Sequence, residues 1–88
     1  MSIKVHNSPL LSQYTDNQTV FEVSGDTVGK CLRHLVEQYP KLKLFDHDGK
    51  LLAYIEIYIN GESTYPQELD KPVKDGDELS ILLMIDGG

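Results

Sequence analysis

The spacing of apolar residues predicts one amphipathic helix in the first half of the chain. Apolar side chains recur there at three- and four-residue intervals, which places them on one face of a helix. They are Val28, Leu32, Leu35, Val36 and Tyr39. Asp26 or Thr27 is a suitable N-cap, and Pro40 predicts that the helix ends at or near Tyr39. Cys31 lies beside the apolar face, so it is interpreted as a core residue rather than a reactive thiol.

Alternation of apolar and polar residues predicts two strands before this helix. Residues 3–6 read Ile-Lys-Val-His, and residues 19–23 read Thr-Val-Phe-Glu-Val. The breaking sequence Asn7-Ser8-Pro9 separates them. Two early strands joined by a loop predict an opening hairpin.

Two longer strands and one short strand are predicted after the helix. Residues 52–60 alternate and run into Asn60-Gly61, a strong hairpin signal. Residues 69–73 are predicted to cross back as the short strand, residues 74–77 to turn, and residues 79–85 to form the last strand. One face of the longer strands carries Ile55, Ile57, Ile59, Leu79, Ile81, Leu83 and Ile85. The other face carries Tyr54, Glu56, Tyr58, Ser80, Leu82 and Met84.

The order of these elements predicts the fold class. Residues 41–45 are expected to form a turn or short helix that packs Leu42, Leu44 and Phe45 over the edge of the core, and residues 46–49 a turn. The order strand, strand, helix, strand, short strand, strand is typical of an α+β fold. We expect a mixed four- to five-stranded sheet packed on one main helix, with the apolar helix face against the isoleucine-rich strand faces.

Length and charge narrow the class of protein. The 88 residues, 40% of them apolar, predict a single folded domain over residues 1–88. Fourteen acidic and eight basic residues give a net charge of −6. This charge disfavours nucleic acid and favours a basic protein partner.

Several other kinds of site are disfavoured. One cysteine permits neither an intrachain disulfide nor a thiolate metal cluster, and His6, His34 and His47 have no metal-ligand spacing. The apolar runs are too short for a membrane span, and residues 1–5 do not resemble a signal peptide. We therefore expect no bound metal, no membrane association and a cytoplasmic location.

The sequence ends in Gly87-Gly88, directly after the last predicted strand. Glycine has no Cβ and adopts backbone angles that are closed to other residues, so this dipeptide can enter a narrow crevice. One interpretation is a C-terminal carboxylate that is presented to the active site of another enzyme. The other is a flexible end without function, since termini are commonly disordered.

Three segments of the chain resemble the MoaD/ThiS-type sulfur-carrier family, whose fold is the ubiquitin-like β-grasp. They are residues 25–28 followed by Leu32, Leu35 and Tyr39-Pro40, residues 57–62, and residues 72–79 continuing through the last strand to Gly87-Gly88. The third is the most specific, because it sets an Asp-Gly-Asp turn at a fixed distance from the terminal glycines. The chain has Leu83-Met84-Ile85-Asp86 where family members often carry proline and small residues.

The resemblance implies a recyclable protein cosubstrate rather than an enzyme. A ubiquitin-activating-like adenylyltransferase would use ATP and magnesium to convert the Gly88 carboxylate into an acyl-adenylate. A persulfide or sulfide donor would then replace AMP, and a sulfur-accepting synthase would receive sulfur from the resulting thiocarboxylate. Gly87 would allow the C-terminal tail, residues 86–88, to extend into the active site of the partner. This tail is expected to be flexible. The chain itself would bind no cofactor.

The partner surface is predicted on the outer face of the sheet, beside the tail. Leu82 and Met84 alternate out of the core register and would otherwise be exposed apolar surface. Ile85 and Asp86 follow them and complete the predicted partner-binding set. The alternative is that a loop or a second copy of the chain covers the two apolar side chains.

The resemblance leaves the acceptor of the sulfur open. The molybdopterin type, in which the carrier is the small subunit of the synthase, comes first, and carriers for cysteine or another sulfur metabolite are the alternative. Residues 45–51 and 57–62 also resemble the cysteine type, whereas the length of residues 42–54 disfavours the thiamine type. A ubiquitin-like modifier, joined through Gly88 to a lysine, and a plain interaction domain are further alternatives.

Overall fold

A five-stranded mixed sheet, covered on one face by a single α-helix, forms the fold. The computed structural model describes residues 2–84. Its strands are β1 (Ile3–His6), β2 (Val20–Val23), β3 (Ile55–Ile59), β4 (Glu62–Ser63) and β5 (Glu78–Leu83), and its α-helix is α1 (Val28–Gln38). Short 3₁₀ helices span Pro9–Tyr14 and Glu68–Asp70. This architecture confirms the predicted α+β sheet on one main helix. Predictions for residues 85–88 lie outside the described residues.

The strand order β2-β1-β5-β3-β4 places the first and last strands side by side. β1 pairs with β2 in antiparallel fashion, which confirms the opening hairpin. β1 also pairs with β5 in parallel, from Lys4 opposite Glu78 to His6 opposite Ser80. β5 is therefore held on both sides, since β3 pairs with it along its other edge.

Helix α1 begins and ends where the sequence predicts. Thr27 is the N-cap, and its side-chain oxygen accepts a hydrogen bond from the Lys30 N–H at 3.2 Å. Tyr39 is the C-cap, and its N–H donates to the Leu35 carbonyl. Pro40 follows directly and cannot continue the helix.

The core lies between α1 and the inner face of the sheet. Leu32 and Ile57, at the centre of the two predicted faces, are both 0% exposed. The buried apolar cluster contains Ile3, Val5, Phe21, Val23, Val28, Cys31, Leu32, Leu35, Leu42, Leu44, Ile55, Ile57, Val73, Leu79 and Ile81. Val36, Ile59 and Leu83 pack against this cluster and are partly buried. The predicted packing of helix face on strand face is confirmed.

Residues 41–45 contribute more to the core than the sequence predicts. A turn at Pro40-Lys41 is followed by irregular backbone rather than a helix. Leu42 and Leu44 alternate with exposed lysines and are completely buried, instead of covering only the edge of the core. Leu42 and Leu44 therefore lie towards the core, and Lys41 and Lys43 lie on the outside.

The predicted short strand at residues 69–73 is wrong. The short strand is β4, which follows the turn at Asn60-Gly61 directly and pairs with β3. Both turn residues have positive φ angles, +50° and +86°, as a tight two-residue hairpin turn requires. Residues 68–70 form a 3₁₀ helix instead, and Pro72 makes only an isolated bridge with Thr27.

The bounds of the two long strands are also shorter than predicted. β3 begins at Ile55 rather than at residue 52, because the Ile55 N–H donates to the Leu52 carbonyl across a turn. β5 begins at Glu78 and ends at Leu83. Among residues 2–84, no helix has the length and apolar character needed to cross a membrane.

Candidate partner-binding surface at the end of the last strand

The inward and outward faces of β5 agree with the sequence-based register. Leu79 and Ile81 point into the core, whereas Leu82 is 42% exposed and Met84, just after the strand, is 53% exposed. A register error of one residue would have exchanged these two sets. No segment within residues 2–84 buries Leu82 or Met84, so a covering loop from that part of the chain is excluded.

The outer face of the sheet combines carboxylates with apolar side chains. The pairing of the strands places on it Val20, Glu22, Lys4, His6, Glu78, Ser80, Leu82, Glu56 and Tyr58. His6 Nε2 lies 2.7 Å from Glu78 Oε1, and this hydrogen bond is the main cause that lowers the pKa of the Glu78 carboxyl. The face therefore suits a partner surface that is basic and partly apolar.

The Asp-Gly-Asp turn fixes the start of β5. Asp77 Oδ2 accepts a hydrogen bond from the Lys74 N–H at 2.7 Å, and Asp77 Oδ1 accepts one from Asn60 Nδ2 at 3.0 Å. The same Asn60 accepts from the Glu78 N–H through Oδ1. These bonds lower the pKa of Asp77, the one from Lys74 most strongly. These bonds join the turn at residues 74–77, which precedes β5, to the hairpin turn at Asn60-Gly61, which follows β3.

This turn lies at the opposite end of β5 from the predicted reactive end. The strand has six residues, which corresponds to about 20 Å. The most specific motif of the sequence therefore has a structural role here, because it sets the position of β5.

One hydrogen bond continues the pairing of the chain just beyond the end of β5. The Met84 N–H donates to the Tyr54 carbonyl at 2.7 Å. Tyr54 precedes β3 and is itself exposed. The sequence predicts Tyr54 on the outer strand face but does not associate it with the tail. The register of β3 against β5 could have indicated this contact, since Ile55 lies opposite Leu83.

Two grooves lie beside this hydrogen bond, one lined by Tyr54 and the other by Met84. The first is lined by Leu11, Tyr14, Pro40, Lys41, Lys43 and Tyr54. The second contains Leu51, Leu52, Tyr65 and Met84, together with Glu56 and Glu68. Of the predicted partner-binding residues, Leu82 and Met84 lie at this end of the sheet. Ile85, Asp86, Gly87 and Gly88 lie outside the described residues and stay predictions.

Cys31 is a core residue and not a reactive thiol. It is completely buried, with its Sγ 3.7 Å from the Gly25 carbonyl oxygen. Burial is the main cause that raises the pKa of the thiol, and the charge of Asp26 adds to it. The thiolate form needed for nucleophilic sulfur chemistry is therefore disfavoured.

Comparison with known proteins identifies the family of the chain. The sequence profile of the ThiS family matches residues 10–88. This chain belongs to the ThiS family. The match confirms the resemblance to MoaD/ThiS-type carriers. It also supports the assignment as a sulfur carrier protein, a cosubstrate rather than an enzyme.

Individual relatives agree with this membership. The sulfur carrier protein CysO of Mycobacterium tuberculosis is 31% identical over 93 aligned positions, which cover 100% of both chains. A chain in the crystal structure of the Amycolatopsis orientalis BexX/CysO complex superimposes with a TM-score of 0.85 at 29% identity, covering 98% of this chain and 99% of that one. SAMP1 from Haloferax volcanii gives a TM-score of 0.85 at 29% identity with complete coverage of both chains. These matches confirm the ubiquitin-like β-grasp fold.

Proposed function

We propose that this chain carries sulfur on its C-terminal glycine for cysteine biosynthesis. The observation that carries the proposal is the full-length similarity to CysO, a sulfur carrier protein. Residues 45–51 and 57–62, which resemble cysteine-type carriers, support it from the sequence. The molybdopterin type, placed first on the sequence alone, has weaker support: the molybdopterin-converting factor from Helicobacter pylori is only 23% identical.

The chemistry begins with activation of the Gly88 carboxylate. A carboxylate resists nucleophilic attack because the leaving group would be oxide. A partner adenylyltransferase, using ATP and magnesium, transfers AMP to the carboxylate and releases pyrophosphate. Hydrosulfide then attacks the acyl carbon, so that a C–S bond forms, the C–O bond to AMP breaks and a thiocarboxylate remains. A persulfide donor would give an acyl disulfide first, which a thiol then reduces.

The partner enzymes recognise the folded domain. Leu82 and Met84 present apolar surface next to the tail, and the carboxylates of the outer sheet face attract a basic partner by electrostatic steering. The same face serves the adenylyltransferase and the sulfur-accepting synthase in turn, because both must receive the same terminal glycine.

Exchange of pyrophosphate into ATP, catalysed by the activating enzyme of the same organism, tests the first step. The wild-type chain should support exchange, and a chain lacking Gly88 should support none. Circular dichroism and thermal melting of the deletion variant provide the folding control. Unchanged exchange after deletion of Gly88 would refute the carrier function.

Intact mass spectrometry of the chain purified from its own cells tests the second step. We expect a fraction of molecules in which one sulfur replaces one oxygen at Gly88. Incubation of that fraction, prepared with radioactive sulfur in its thiocarboxylate, with cell extract and an unlabelled cysteine precursor should then give labelled cysteine. Label that appears in a molybdopterin product instead would identify the other acceptor.

A second candidate function is that of a protein modifier. SAMP1 from Methanosarcina acetivorans, described as a small archaeal modifier protein, is 29% identical to this chain with a TM-score of 0.86, covering 99% of this chain. A modifier would share the adenylation step and transfer Gly88 to a lysine of a target protein. Trypsin cleaves this chain last after Lys74, so target lysines that carry residues 75–88 as a remnant would support that function, and their absence under all growth conditions would exclude it.

A further inference from the structure

We infer that the groove formed by Leu11, Tyr14, Pro40, Lys41, Lys43 and Tyr54 binds an acidic segment of the activating enzyme while the tail is held in its active site. This inference rests on the proposed function and adds a second contact to it, outside the sheet face. The groove joins segments that are distant in sequence and has a volume of about 570 Å³, enough for several side chains of a partner.

The charge of the groove is opposite to that of the whole chain. The protein carries a net charge of −6, yet none of the described residues that line this groove is acidic and two of them are lysines. Lys41 and Lys43 alternate with the buried Leu42 and Leu44, so the backbone that presents the two ammonium groups is anchored in the core. An acidic segment is the complementary charge.

The aromatic part of the groove adds an apolar contact. Tyr14 is 41% exposed. Together with Tyr54 and Leu11 it gives the groove an apolar floor beside the ammonium groups. Exposed tyrosines of this kind are common at protein interfaces, because the ring packs while the hydroxyl stays hydrated. A segment that combines carboxylates with an apolar side chain fits this surface best.

The position of the groove ties it to the activating enzyme. Tyr54 lines the groove and accepts the hydrogen bond from the Met84 N–H. Gly88 lies four residues after Met84 in the sequence, and four residues span at most about 14 Å. An enzyme that holds the Gly88 carboxylate at its ATP must therefore place the mouth of its channel close to Met84, and so also against Tyr54.

The second groove near Met84 makes the orientation of the partner specific. It carries Glu56 and Glu68 beside its apolar residues, so its charge is opposite to that of the lysine groove. A partner with acidic residues on one side of its channel mouth and basic residues on the other would dock in one orientation only.

Charge reversal of Lys41 and Lys43 tests the inference. In pyrophosphate exchange at low salt, K41E/K43E should raise the apparent KM for the carrier about tenfold with kcat nearly unchanged. High salt should reduce this difference, because it screens exposed charges. The neutral variant K41Q/K43Q should give a smaller increase in KM and keeps the test valid if charge reversal impairs folding.

The double variant K30E/K74E is the matched control. It makes the same change in net charge at two exposed lysines. Lys30 forms an ion pair with Asp26, and the Asp26 carbonyl accepts a hydrogen bond from the Val73 N–H, so both lysines lie near the start of β5. Its KM should stay close to that of the wild type. An equal increase in both variants would show a general charge effect and would overturn the inference, as would unchanged KM in K41E/K43E.

Two further outcomes separate the alternatives. A wild-type chain without any exchange activity would overturn the proposed function and this inference together. An active wild-type chain whose KM does not change in K41E/K43E would overturn the inference alone. If the wild-type chain is a dimer in sedimentation experiments and K41E/K43E is a monomer, the occupant of the groove is a second copy of the chain, and the inference is wrong.

Discussion

At the scale of single residues, one side of β5 lies in the core and the other side carries the proposed partner surface. Leu79 and Ile81 are buried in the core, and Leu82 and Met84 lie exposed on the other side. Because side chains alternate along a strand, one short segment supplies both the support of the sheet and its apolar contact surface. Substitutions on the two sides should therefore have different effects.

Leu32→Ala should destabilise the fold by about 2–5 kcal/mol, because the leucine is completely buried and its loss leaves a cavity. Chemical denaturation measures this change. Leu10→Ala is the control, since Leu10 is exposed and its loss should cost less than about 0.5 kcal/mol. Equal effects in the two variants would contradict the position of the core.

Leu82→Ser with Met84→Ser should raise the KM for the activating enzyme about tenfold or more while the melting temperature changes little. The two side chains are largely exposed in the free chain, so their apolar area is buried only in the complex. Pyrophosphate exchange and thermal melting measure the two effects. Val20→Ser is the control, because Val20 is 48% exposed on the far edge of the same face. A large fall in melting temperature would show that the two residues are core residues.

At the scale of elements, the turn that precedes β5 and the hairpin that follows β3 stabilise one another. Asn60 bonds to Asp77 and to the Glu78 N–H, so each turn holds the other in place. The Asp-Gly-Asp motif thereby aligns β5 with both β1 and β3. We propose that this motif contributes to function indirectly, because it aligns the strand that carries Leu82.

Asp77→Asn should lower stability at neutral pH by less than about 1 kcal/mol, since Asp77 is only partly buried and its bonds are partly screened by solvent. The bonds from Lys74 and Asn60 depress the pKa of Asp77. Its stabilisation is therefore present above the ordinary carboxyl pKa, near pH 4, and is lost as the pH falls through the lower pKa of the folded state. The difference between wild type and variant should shrink from pH 7 to about pH 2.

Urea denaturation at a series of pH values measures this difference. Asp48→Asn is the control, because the exposed Asp48 carboxylate accepts no backbone hydrogen bond within residues 2–84. Both variants remove one carboxylate charge, so the comparison isolates the hydrogen bonds that Asp77 accepts. A difference for Asp77→Asn that grows as the pH falls would contradict the assigned role.

At the scale of the whole molecule, the parallel pairing of β1 with β5 places the last strand in the interior of the sheet. The last strand is therefore held on both edges, and a hydrogen bond from the Met84 N–H to the Tyr54 carbonyl follows it. The acidic outer face and the lysine groove meet near this point. A partner can thus recognise a fixed surface and receive the terminal glycines from it.

Gly87→Ala should lower pyrophosphate exchange by about tenfold or more without changing the melting temperature. A Cβ restricts the backbone and needs space in a channel that admits only the main chain. Residue 87 follows the last hydrogen bond described for the chain, from Met84 to Tyr54, so the folded domain should not respond. Full exchange activity in the variant would show that the channel accepts side chains.

The sequence by itself determined the elements whose pattern is local. The helix face around Leu32 and the alternation of β3 are periodic within a few residues, and the Asn60-Gly61 turn depends on two adjacent residues. The resemblance to the family and the chemistry expected at Gly88 rest on short motifs in the same way. For these features, neighbouring residues carry enough information.

Only the tertiary structure decided which distant segments lie together. Strand pairing placed β4 at residues 62–63 rather than 69–73, because the hairpin turn made the nearest segment the partner of β3. The burial of Leu42 and the meeting of Lys41 with Tyr54 depend on how the connection after α1 packs. No local period encodes such contacts, since their energy comes from burial against elements far away in the chain.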